Sequence, residues 1–214
     1  MKLGEIKLEA LALIYPGAEL MCDADNDTSL REKLRELAND SNYSDLLSAM
    51  PGAINRCFAE LEGRSLVPRK SCELDTSKGK RLGNKIVFDT SLLESYLKTE
   101  KVLHYNDFCD IHEVDFNFLS ENEILLDGRD GKFVLIYTPV VKRISQISDD
   151  ASVIKLPEHL CALIPYFIKS ELIRAENEKE AAIARNIFEE MISALSIREN
   201  GVQTKVESVY EVPL

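Results

Sequence analysis

The chain has 214 residues, 45% of them apolar and 29% charged, which is enough to bury a real core and too balanced for wholesale disorder. Its formal net charge of −11 argues against a protein that holds nucleic acid by neutralising phosphates, but not against a wall past which DNA slides without sticking. No apolar run approaches the about 18–20 residues that a membrane span requires.

The first stretch, "MKLGEIKLEALALIY", carries acidic residues inside its apolar pattern and reads as an amphipathic helix, not a signal peptide. Leu3, Ile6, Leu8, Ala10, Leu11 and Leu13 fall on one broad face, so the helix is expected over Leu3 to Ile14, stopped by Pro16 and Gly17. In "DADNDTSLREKLREL" Thr28 or Ser29 is the expected N-cap, with Glu32 completing a capping box. A loop from Asn39 to Tyr43 follows. The next helix starts near Tyr43 or Ser44 and either kinks at Pro51-Gly52 or breaks there. Its second half places Ile54, Cys57, Phe58 and Leu61 at helical spacing and ends by Gly63 and Pro68.

From Pro68 to Ser145 the texture turns to short runs of β-branched and aromatic residues: "NKIVFD", "EKVLHY", "EVDFNFLS", "NEILLDG" and "GKFVLIYTPVV". In "VDFNFL", Val114, Phe116 and Phe118 alternate with Asp115 and Asn117. The two Asp-Gly pairs of "LLDGRDGKFVLIY" point to a hairpin between its apolar runs. "KGKRLGNK", Lys78 to Lys85, reads as a solvated loop, and "DTSLLESYLKTE" is either a short helix or an irregular approach.

Helical pattern returns at Leu156-Pro157. Leu160, Leu163, Ile164, Phe167, Ile168 and Leu172 form one stripe, within which Pro165 should kink the helix or disturb one turn. "RAENEKE" then joins it to a final helix over Lys179 to Ser196, with Ala184, Ile187, Phe188, Met191 and Leu195 on one face. So short a connection requires an antiparallel hairpin. The expected fold class is α+β: a helical bundle from residues 1–67 and 150–198, a mainly antiparallel β-rich insertion over 68–149, and an extended tail, 199–214, containing Val202, Val206, Val209, Tyr210 and Val212.

Chemistry-bearing patterns are sparse. Cys22, Cys57, Cys72, Cys109 and Cys161 are odd in number, widely spaced and without a CxxC pair, which fits buried free thiols inside a cell better than disulfides or structural zinc. His104 and His112 flank Asp107, Cys109 and Asp110, but the spacings match no zinc signature and two of these candidate ligands fall in predicted strands that alternate direction, so no metal site is expected. His159 stands apart. Carboxylate pairs such as Glu121/Glu123 and Asp149/Asp150 are uninformative in so acidic a chain. "DGRDG" lacks the ligand series and terminal glutamate of a calcium loop. There is no nucleophile elbow, phosphate-binding glycine loop, zinc-protease or kinase motif, so no catalytic residue and no cofactor is assigned. A DNA-binding regulator with a helix-turn-helix in the first third is the alternative. Against it, "INRCFAELEGR" offers only Arg56 and Arg64.

"LGEIKLEALALIY", "SAMPGAINRCFAELEGRSLVPRKS" and "LPEHLCALIPYFIKSELIRAENEKEAAIARNIFEEMISAL" together resemble the head–tail connector, or neck adaptor, proteins of tailed phages and prophages. The most distinctive part is the Leu-Pro helix start, the aromatic "IPYFIKSEL", the acidic linker and "ARNIFEEM". The resemblance covers the helical parts, roughly half the chain. It implies a non-enzymatic virion protein, present in the bacterial cytoplasm during assembly, with no membrane partner. Many copies would form a ring beneath the portal protein, meet other neck and tail proteins, and leave a channel through which DNA passes as cargo. The extended tail would then reach a neighbouring subunit or another neck protein.

Overall fold

The first amides of a helix have no acceptor within it, and the chain that returns from the β-rich middle supplies two of the acceptors for α1 (Leu3–Ile14). In the computed structural model, which describes residues 1–18, 20, 26–75, 79–105, 111–129 and 132–206 (backbone only over 196–206), Leu3 N donates to Ser152 O at 2.9 Å and Gly4 N to Asp150 O at 2.8 Å. Ile154 N donates back to Met1 O at 3.0 Å, and Lys2 bridges to Val153 in antiparallel fashion. Glu5 closes the cap by accepting from Lys2 N at 2.6 Å. Residues 1–4 are thereby stitched to residues 150–154 by backbone hydrogen bonds.

The chain divides into two compact units, Met1–Glu60 with Arg143–Leu214 and Leu61–Lys142. The first is helical. α2 (Asp27–Ala38) is capped by Asn26, whose side chain accepts from Thr28 N at 3.0 Å and Ser29 N at 3.3 Å. The expected caps Thr28 and Ser29 lie inside the helix, because an asparagine one step earlier meets the same orphan amides. α1 and α2 approach closely at Gly4, where an added Cβ would stand 2.8 Å from Leu34 Cδ1 and 2.9 Å from Leu30 Cγ.

α3 (Ser44–Gly63) passes through Pro51 without interruption. A proline inside a helix forgoes one hydrogen bond at a cost of about 3 kcal/mol. Here Met50, Ala53, Ile54, Cys57, Phe58 and Leu61, all fully buried along one face, hold the helix together across it. Pro165 behaves differently. The helical stretch expected over 156–172, with a kink or a disturbed turn at Pro165, is two helices, α4 (Glu158–Cys161) and α5 (Ile164–Leu172), and Pro165 sits in the first turn of α5, where its missing amide is harmless.

α5 packs against α1 and against α6 (Glu178–Val206). The seam between α5 and α6 is an edge-to-face pair, Phe167 and Phe188, with ring centroids 5.1 Å apart. Arg185 lies over both rings, at 5.2 and 5.0 Å, and its guanidinium pairs with Glu60 and Glu189. Lys169 donates to Leu13 O at 2.9 Å and to Glu180 at 3.1 Å, joining α1, α5 and α6. Ala181, Ala184, Phe188 and Ile192 are the buried residues of α6, whereas Met191, expected in the core, is half-buried. The helix also continues beyond Ser196 to Val206, so the expected extended tail is helical from Glu199 to Val206, its Gly201 tolerated at about 1 kcal/mol. Residues 207–214, with Val209, Tyr210 and Val212, lie outside the described residues.

The second unit holds two four-stranded antiparallel sheets. β1 (Lys70–Leu74), β8 (Lys132–Pro139), β4 (Tyr96–Tyr105) and β5 (Ile111–Val114) form one in that order. β2 (Lys80–Leu82), β3 (Lys85–Asp89), β7 (Glu123–Asp127) and β6 (Asn117–Ser120) form the other. Leu74, Ile86, Phe88, Val102, Ile124, Leu126, Phe133, Leu135 and Tyr137, from both sheets, make one core. The fold class is α+β, with helices at the two ends and a β-rich middle.

Three expectations about strands are corrected. "VDFNFL" is not one strand: β5 ends at Val114 and β6 begins at Asn117 in the other sheet, so Phe116 packs on the core while Phe118 is 57% exposed. The Asp-Gly pairs do not close a hairpin, because β7 pairs with β3 and β6 and β8 with β1 and β4. Gly128 is instead needed for close approach, its amide donating to Asn84 O at 2.8 Å where a Cβ would stand 2.6 Å from that oxygen. "KGKRLGNK" contains β2, which turns into β3 through Gly83 at φ +64°. The open stretch "DTSLLESYLKTE" becomes a 3₁₀ turn, Thr90–Leu92, followed by β4.

Replacing Phe188 with Ala should lower the unfolding free energy by about 3–5 kcal/mol, the range for a fully buried aromatic. A loss below about 0.5 kcal/mol in denaturant melts, as at exposed sites, would contradict the seam.

Candidate functional site

In the helical unit, a cleft of about 500 Å³ is bordered by α1, α2, the start of α3 and residues 146–150. Leu34, Leu47 and Pro51 give it an apolar lining, and Lys7, Arg31 and Arg35 supply positive charge. Two of the three cations are committed. Lys7, 8% exposed, reaches Asp150 at 2.6 Å. Arg31 grips Asp149 through Nε and Nη2 at 2.8 and 2.7 Å. The Asp149/Asp150 pair therefore works as a clasp, each carboxylate holding a different helix to the 144–154 segment, and not as an acid–base pair. The Arg31 guanidinium, helped by the Ala151 amide, holds the Asp149 carboxyl down to about 2. Ser44, Ser48 and Ser148 add hydroxyls to the wall. The cleft can admit a small polar molecule, but the arrangement does not select a reaction.

The histidines present a different geometry. His104 and His112 are direct partners in the antiparallel β4–β5 ladder, and His104 is also the partner of Phe133 on β8. Phe133, His104 and His112 thus form a transverse row across three strands. His104 is buried, with its ring 4.8 Å from that of Phe133, while His112 is exposed on the edge strand. His104 Nδ1 and His112 Nε2 stand 3.3 Å apart. Alternating strand direction, read from the sequence as an argument against a shared site, brings the two histidines together: an antiparallel return of eight residues places both on one face. Asp107, Cys109 and Asp110 lie outside the described residues, and His159 is exposed in the helical unit. Among the described residues no group of three or more His, Cys, Asp or Glu is placed to hold a metal ion.

One cluster has the outline of a nucleophile site. Ser65 adopts a left-handed conformation, φ 57°, and Lys98 Nζ lies 2.7 Å from its Oγ. The backbone explains the conformation. Ser65 N donates to Glu62 O and Leu66 N to Leu61 O, both at 3.0 Å, which is the paired closure of a helix C-terminus by a left-handed residue. Glu100 pairs with Lys98 at 3.2 Å and also accepts from Thr138 at 2.7 Å. The cluster is a cap with polar ties. Nearby, buried Glu62 accepts the Val141 amide at 2.6 Å.

The remaining sequence candidates serve local structure. Glu123 accepts from Ser120 at 3.1 Å in the β6–β7 turn, beside exposed Glu121. Arg56 on α3 pairs with Glu171 on α5 at 2.9 Å, so it is held within the bundle. Burial, with the charge of Glu60 adding to it, pushes the Cys57 thiol up, and burial does the same for Cys161. Both thiols are free and buried, and Cys72 is free and half-buried, while Cys22 and Cys109 lie outside the described residues. Among the described residues no helix is long and apolar enough to cross a membrane. No family model and no curated protein matches the sequence.

Two outcomes follow from these environments. Asp149 has a depressed folded-state pKa, so its pairing stabilises the fold above the ordinary value of 3.8 and is lost as pH falls through about 2. Acid melts of wild type and Asp149→Asn should therefore converge as pH falls through that window, and parallel curves would contradict the clasp. Thiol reagents under native conditions should modify Cys72 ahead of Cys57 and Cys161, because thiolate character and access govern the rate. Prompt labelling of Cys57, read by peptide mass, would contradict its burial.

Proposed function

We propose that the chain is a structural head–tail connector of a tailed phage or prophage, repeated around a ring between portal and tail, with DNA as cargo. The observation that supports this reading most is the way the segments carrying the sequence resemblance come together. "LGEIKLEALALIY" forms α1, "SAMPGAINRCFAELEG" most of α3, and "IPYFIKSEL" with "ARNIFEEM" the seam of α5 and α6. These helices are joined by α1–α5 and α5–α6 packing and by Arg56–Glu171 and Arg185–Glu60 ion pairs across to α3. A resemblance spread over distant segments would be weaker if those segments served unrelated bodies.

The β-rich unit adds surfaces suited to assembly. β5 and β6 are edge strands of their sheets, and they expose Ile111, Phe118 and Leu119 at 58, 57 and 52%. Unpaired edges with apolar side chains are open to strand addition by a neighbour. The competing reading, a DNA-binding regulator, draws little from α3, whose Arg56 is tied to Glu171.

In a phage carrying this chain, mass spectrometry of purified particles should find it in several copies per particle, and deletion of its coding sequence should leave filled heads without tails. Normal tailed, infectious particles from the deletion would overturn the reading. A specific gel shift at physiological salt would favour the regulator.

A further inference from the structure

We propose that His104 Nδ1 and His112 Nε2 form a two-nitrogen site for a late first-row divalent metal ion, of which zinc is the best fit. Two nitrogens each about 2.05 Å from a tetrahedral zinc stand about 3.3 Å apart. The observed separation is 3.3 Å. The β ladder sets this spacing, since directly opposed residues of antiparallel strands hold their Cβ atoms about 4.5–5.5 Å apart and both side chains leave the same face. The ladder therefore brings the two nitrogens within reach of one ion.

The two rings have complementary roles. His104 is 4% exposed and its ring packs on that of Phe133 at 4.8 Å, which restricts its orientation. His112, exposed on the edge strand β5, gives solvent access and has room to turn. On binding, His112 rotates so that its lone pair meets that of His104 off the line joining the nitrogens. The imidazole whose N–H bridges the two rings moves that proton to its other nitrogen, which leaves one lone pair from each ring for the ion. Imidazole pairs favour zinc, nickel and copper, whereas magnesium and calcium require oxygen ligands. The remaining coordination positions are open to water or to a donor from another molecule. The inference stands independently of the connector reading.

The test is zinc titration by calorimetry of the full chain without an affinity tag at neutral pH, with cobalt(II) as a second probe for NMR. Wild type should bind one equivalent, and His112→Ala, at an exposed position that leaves the core intact, should weaken binding by about 10-fold or more. His159→Ala should leave it unchanged. Cobalt should shift the ring-proton resonances of both His104 and His112. No uptake by wild type at millimolar zinc, equal affinity in His112→Ala, loss in His159→Ala, or cobalt shifts that spare His104 would each overturn the site.

Discussion

The helical unit depends on satisfying the amides at the start of α1. The first backbone amides of α1 have no acceptor within the helix and would otherwise face water. The acceptors come from residues 150 and 152, and Met1 reciprocates by accepting from Ile154. Lys7–Asp150 and Arg31–Asp149 reinforce the same junction, one pair nearly buried and one at the surface. Exposed ion pairs contribute little alone, typically about 0–1 kcal/mol. Their value here is registry: they hold α1 and α2 to a segment about 120–140 residues later in the chain, whose loop closure costs entropy only logarithmically in length. That logarithm makes it feasible to interrupt a helical body with a whole β-rich unit.

The seam of α5 and α6 solves a different problem. Pro165 divides what the apolar stripe joins, so the hairpin has only the nine residues of α5 to set against α6. Aromatic stacking compensates for length, since an edge-to-face pair adds about 0.5–1.5 kcal/mol beyond its buried area. Arg185 covers the remaining ring faces without presenting an unpaired charge, because Glu60 and Glu189 take its donors. A lysine could not do this as well, lacking the planar fork that stacks and pairs at once.

Helices were legible in the sequence because their signal is local. The 3.6-residue stripe located α1 at Leu3–Ile14 and drew the α5–α6 hairpin, and Phe58, Phe167 and Phe188 were readable as core. Strand positions were also local, as in "NKIVFD" and "NEILLDG". Strand partners were not, because pairing is decided by whichever distant edge buries the apolar face. Hence "LLDGRDGKFVLIY" looked like a hairpin while its two strands belong to different sheets. β1, with only Cys72 and Leu74 as apolar residues in "KSCEL", gave almost no local signal. The His104–His112 juxtaposition was hidden for the same reason: register is a property of the ladder, and spacing alone could not separate opposed residues from divergent ones.

The contact at Gly4 has an evolutionary consequence. The separation of α1 and α2 is set there by the absence of a side chain, with Leu30 and Leu34 occupying the space a methyl group would need. Overfilling a packed contact of this kind costs about 1–3 kcal/mol, a large share of the about 5–15 kcal/mol that keeps a typical domain folded. A lineage could therefore acquire alanine at position 4 most readily by trimming position 30 at nearly the same time, since the end of the Leu34 side chain can swing aside while Leu30 Cγ cannot. Among descendants of this chain the two positions are bound to drift as a pair, a coupling written in volume and invisible to any inspection of charge or motif.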